Sequence, residues 1–96
     1  MNSCHIVFIL IDLHIPYAQS LKDKRQPVRS LKQRLKNRFN ISIAEIDALD
    51  EWKRVVYGVT MISNDKRYLD KQSSLIEQMV LEVTEFELIT FDREFL

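Results

Sequence analysis

Two groups of residues in this sequence have types and spacings that could do chemistry. Asp12 and His14 stand two apart in an apolar run, so on a β-strand both point to the same face. A carboxylate beside an imidazole can orient the ring and favour its charged form, the pairing that a general acid or base uses. Ser20 or Cys4 would complete such a site as nucleophile if the fold brought either to the ring. The plainer reading makes Asp12 and His14 polar residues at a strand end, supporting the turn at Pro16.

The second group is cationic. The stretch "SLKDKRQPVRSLKQRLKNRF" from Ser20 to Phe39 holds eight of the fourteen Lys and Arg residues and a single acid. Its net charge of +7 leaves −7 on the rest of a formally neutral chain, so the molecule is a strong dipole. On a helix, Lys22, Arg25, Arg29, Lys32 and Lys36 alternate spacings of three and four and form one ridge. That ridge is about 21 Å long if unbroken. Arg34 and Arg38 lie on its other flank. Cations one turn apart suit successive phosphates of a nucleic-acid backbone. The expected partner is therefore RNA or a ribonucleoprotein, with phosphate contacts from the ridge assisted by Arg34 and Arg38. Two alternatives stand beside it: the ridge is a solvated helix face, or the acids of "EIDALDE" meet it within one chain or between subunits.

The remaining chemistry is mostly excluded. Glu45, Asp47, Asp50 and Glu51 span a strand and a turn without the Gly-punctuated loop of calcium sites, and read as a solvated acidic edge. One Cys and two His make no structural zinc site. A single Gly leaves no phosphate-cradling loop, which disfavours ATP, GTP and dinucleotide chemistry. No cofactor and no metal are expected, and the protein is not expected to be an enzyme. A reaction at Asp12 and His14 is the third-ranked function.

These side chains need elements to hold them. Ninety-six residues with 46% hydrophobic and 29% charged content fit one domain, residues 1–96, with one core. "HIVFILIDLHI" (5–15) is apolar on both parities and reads as a central strand covered on both faces or nearly so. The run is interrupted by Asp12 and His14 well short of a membrane span and lacks a basic leader. The lone Cys4 fits a reducing compartment, so the expected location is cytoplasmic. Ser20 is positioned to cap a helix, with Asp23 as a capping-box partner. Leu21, Val28, Leu31, Leu35 and Phe39 form its apolar stripe. Pro27 has no N–H for the carbonyl of Asp23, so the helix is expected to kink there or to start afresh, with 27–38 its firm part. Strands follow over 40–47 and 54–63, joined by the turn "ALDEWK". "SND" offers caps for a second helix over 65–82, with Leu69, Ile76, Val80 and Val83 inward and Tyr68, Leu75 and Met79 flanking. "EFELITFDREF" closes the chain as a strand.

Strand, helix, strand, strand, helix, strand with right-handed crossovers gives an α+β ferredoxin-like βαββαβ sandwich: a four-stranded antiparallel sheet with two helices on one face. Such a sheet has one uncovered face. Trp52, Tyr57, Phe8 and Leu10 are candidates for it, and a homodimer through the open sheet face would cover them. Base stacking on the sheet is disfavoured, because the third strand offers Tyr57 and Gly58, and the first only Phe8, in place of paired aromatics.

"DLHIPYAQSLKDKR", followed by "LKNRFNISIAEID", Trp52 and "GVTMISND", resembles the YlxP-like family of small bacterial proteins of unassigned function. The likeness runs from about residue 7 to 92. It implies the same ferredoxin-like fold. Genes of that family often neighbour those for translation initiation and ribosome-maturation factors, so the resemblance implies a ribosome-associated role. Pro27 departs from it, standing where an aliphatic residue or another helix former is more usual. The runner-up function is a homo-oligomeric or protein-partner-binding module without nucleic acid.

Overall fold

The computed structural model describes residues 3–96. The elements run β1 (His5–His14), α1 (Leu21–Arg38), β2 (Ser42–Asp47), β3 (Arg54–Ser63), α2 (Lys66–Glu82) and β4 (Glu87–Phe95). The strands form one antiparallel sheet in the order β2-β3-β1-β4, the ferredoxin-like arrangement, with β1 and the last strand adjacent. The helices begin and end close to where caps and periodicity put them. The last strand starts two residues later than "EFELITFDREF" implied, after a turn ending at Phe86.

β1 is central, but its two faces differ. Val7, Ile9, Ile11, Leu13 and Ile15 are wholly buried and meet the inward side chains of both helices in one cluster. The alternate residues, Ile6, Phe8, Leu10, Asp12 and His14, are only half-buried on the face without helices. The expectation of cover on both faces is thus corrected: a pleated strand sends one parity each way, and only one side has helices. On β3 the same parity rule turns Val55, Tyr57, Val59 and Met61 inward. Tyr57 therefore leaves the proposed open-face cluster and becomes core. Its hydroxyl donates to the Val28 carbonyl of α1 at 2.7 Å, tying sheet to helix. Burial, and secondarily the Glu45 carboxylate, push its phenol well above the ordinary value of 10.0. On the other face, a Cβ at Gly58 would lie 3.1 Å from Ile46 and 3.2 Å from Phe8, so glycine lets those two side chains close over β3.

α1 is unbroken through Pro27, which corrects the expectation of a fresh start there. Ser20 supplies the N-cap, accepting from Asp23 N at 3.1 Å, and Asp23 reaches back to accept from Gln19 N at 2.9 Å. The helix is thus nucleated before the proline is reached, and the one carbonyl that Pro27 leaves unbonded lies in the first turn region. Asp65 caps α2 by accepting from Arg67 N at 2.9 Å. Among the described residues no helix is long and apolar enough to cross a membrane.

Leu31 and Leu35 are at most 1% exposed, so truncation leaves cavities under α1. Leu31→Ala and Leu35→Ala should each destabilise by about 2 to 5 kcal/mol in chemical denaturation. A loss below about 0.5 kcal/mol, the size of an ordinary surface substitution, would contradict this packing.

Candidate nucleic-acid interface

Val28, Leu31 and Leu35 face the sheet, which fixes the rotation of α1 about its axis. Lys22, Arg25, Arg29 and Lys36 are then exposed and Lys32 partly so. All five border one open stretch of the α1 surface, so the structure brings the predicted ridge together. Arg34 and Arg38 are exposed too but lie about half a turn round the helix from the ridge. Arg38 instead sits over the Phe39 ring, 5.7 Å from its centroid. Among the described residues no carboxylate lies within ion-pair distance of any of these seven cations. The acids of "EIDALDE" do not meet the ridge within the chain.

They meet a different cation. Lys24 occupies the apolar face of α1 and is only 4% exposed. Its ammonium donates to the carbonyls of Ala48 at 2.9 Å and Glu51 at 3.0 Å and contacts Glu45 Oε2 at 2.8 Å. Ala48 has φ 59, a left-handed conformation that costs a non-glycine residue about 1 kcal/mol or more. Its N–H donates to Asp47 Oδ1 at 2.8 Å, while Lys24 holds its carbonyl. Lys24 was missed as a structural residue because a lysine in a basic run reads as one more surface charge. Its spacing from Val28, Leu31 and Leu35 was the available signal, since all four share one helical face.

Asp12 and His14 do share a face of β1, yet each is drawn to a different neighbouring strand. Asp12 accepts from Arg54 Nε at 3.1 Å and from the second guanidinium nitrogen at 3.0 Å, a two-pronged contact to β3. That contact holds the guanidinium above its ordinary pKa. His14 Nδ1 lies 2.6 Å from Glu87 Oε1 on β4. Ser20 Oγ is engaged as the helix cap, and Cys4 is eight residues before Asp12, about 26 Å away along a strand. The carboxylate–imidazole–nucleophile arrangement is not assembled. The four candidate cation ligands are likewise dispersed: Glu45 to Lys24, Asp47 to its own turn, Glu51 3.5 Å from Arg54, and Asp50 exposed.

Fold and surface together define an α+β ferredoxin-like module with a cationic helix on its covered face. Residues 6–93 match the family described as "Protein of unknown function (DUF503)", and the chain belongs to that family. It is 36% identical over 55 residues to "Uncharacterized protein YlxP" of Bacillus subtilis (strain 168), a match covering 57% of this chain and 60% of that protein.

Because the Lys24 ammonium donates to two carbonyls and pairs with the Glu45 carboxylate, removing the charge strands Glu45 and two carbonyls in a buried place. Lys24→Met should cost about 3 kcal/mol in stability, and adding Glu45→Gln should recover part of it. Equal stability of Lys24→Met and the parent, measured by urea denaturation, would contradict the assignment.

Proposed function

We propose that the protein binds RNA, free or within a ribonucleoprotein particle, by laying the Lys22–Lys36 ridge of α1 along the phosphate backbone, without catalysing a reaction. The observation that carries this reading is five cations along one open face of α1, none with a carboxylate partner among the described residues. A nucleic-acid phosphate chain carries condensed cations that unpaired Lys and Arg side chains displace, and the gain rises with each contact. Backbone contacts fix position without reading sequence, so base preference from the ridge itself is expected to be slight. The remaining −7 charge lies elsewhere on the chain, with Glu87, Asp92 and Glu94 exposed along β4. That distribution would orient the molecule toward a polyanion with α1 leading. A ribosomal particle in the bacterial cytoplasm is the partner this reading favours.

A second reading concerns the opposite side of the sheet. Ile62 is 64% and Ile89 61% exposed on or beside the open face, next to half-buried Phe8 and Leu10. A second copy of the chain covering them would form a homodimer, and because the helices occupy the other face the ridge would remain free.

Reversing two ridge charges tests the first reading. Arg29→Glu with Lys32→Glu should abolish measurable binding to ribosomal RNA by fluorescence anisotropy, with the melting transition unchanged, since both side chains lie off the buried stripe. Arg67→Glu with Lys71→Glu on α2 should weaken binding far less. Arg54 is unsuitable for that comparison because it holds Asp12. Equal losses from the two pairs would overturn the assignment to α1, and no binding by the parent even at about 20 mM salt, where screening is weak, would overturn the function.

A further inference from the structure

The ridge is one wall of something deeper. Between α1 and the edge strand β2 the structure holds an open cleft of about 320 Å³, within the size range of small-ligand sites. Arg25, Arg29 and Lys32 stand along its α1 side, while Leu21, Val28 and Leu49 supply apolar surface and buried Tyr57 lies beneath. At its back are Lys24 and Glu45. Glu45 Oε2 is buried, touches the Lys24 ammonium at 2.8 Å, and accepts no well-aligned hydrogen bond among the described residues.

These features select an occupant by chemistry. A bare phosphate would satisfy the cations but leave the apolar walls uncovered and would face the Glu45 carboxylate. A fatty carboxylate would cover the walls but bury the Lys24–Glu45 pair against hydrocarbon, without hydrogen bonds. A nucleotide meets all three demands: its phosphate matches the cations, its flat base covers apolar surface, and its edge carries N–H donors for the Glu45 carboxylate.

We infer that the cleft between α1 and β2 accepts one unstacked nucleotide, the base inside and its phosphate on Arg25, Arg29 and Lys32. The inference rests on the RNA reading of the ridge and adds a preference that the ridge alone does not supply. A base paired within a duplex cannot enter the cleft, so single strands should bind more tightly than duplexes of the same length.

The test uses the whole chain with ¹³C-labelled methyl groups, followed by NMR. Titrants are adenosine monophosphate, uridine monophosphate, inorganic phosphate, a short RNA single strand and the matching duplex. Saturable shifts of the Leu21, Val28 and Leu49 methyls are expected with both nucleotides and the single strand, and not with inorganic phosphate. Leu49→Trp, which narrows the cleft from the exposed turn, should reduce single-strand affinity by about tenfold, the scale of one lost stacking contact, and leave duplex affinity unchanged. If single strand and duplex bind equally while the cleft methyls stay still, the cleft inference fails and the ridge reading survives. If neither strand form binds but the nucleotides move the methyls, the reading of the ridge fails and the cleft stands as a nucleotide site. If nothing moves, both fall.

Discussion

The placement of the cationic helix depends on one buried ammonium. Lys24 reaches inward from α1 and fastens the β2–β3 turn through Ala48, Glu51 and Glu45. A buried charge is costly unless it is paired and hydrogen-bonded, and here two carbonyls accept from the ammonium while Glu45 supplies the counter-charge. The contact also steadies Ala48 in its left-handed conformation, which no glycine relieves. With Lys24, Val28, Leu31 and Leu35 all facing inward, Lys22, Arg25, Arg29 and Lys36 have no choice but to face water. The helix thus commits one lysine to internal structure while the neighbouring cations face water.

Tyr57 of β3 provides a second tie from the sheet to α1, donating to the Val28 carbonyl one turn further along the helix. The two contacts lie at the back of the α1–β2 cleft and along its floor, so the walls of that cleft are held by hydrogen bonds as well as by packing. The opposite face of the sheet has a different character. Gly58 permits close approach of Phe8 and Ile46, and the polar end of that face is occupied by the Asp12–Arg54 and His14–Glu87 pairs. Those pairs join β1 to its two neighbours, which is a structural task for residues that resembled a catalytic pair.

The sequence made the element order, the Ser20 cap and the Val28, Leu31 and Leu35 part of the α1 stripe legible, because periodicity and capping chemistry are local. The ridge was legible for the same reason: its spacing needs only a helix. What could not be read locally was which parity of a strand faces the helices. "RVVYGVTMIS" is apolar on both parities, so Tyr57 could be assigned to either face until α1 was in place. Asp12 and His14 share a parity, as expected, but their partners come from residues 42 and 73 positions away, and sequence spacing cannot show that. Leu21, expected in the core stripe, is 40% exposed, and Lys24 takes the inward position in that turn. A hydrophobic pattern counts lysine as outward and does not see a long side chain with acceptors waiting beneath it.

The central claim is that exposed cations of α1 engage a phosphate backbone, and its most direct measurement is the salt dependence of RNA affinity. Five contacts predict a slope of about −3.5 in log affinity against log salt for a single strand, since roughly 0.7 counterion is released per phosphate. Substituting Arg29 with Ala should remove one contact and make the slope shallower by about 0.7. A binding constant indifferent to salt, or a slope that Arg29→Ala leaves unchanged, would contradict the account.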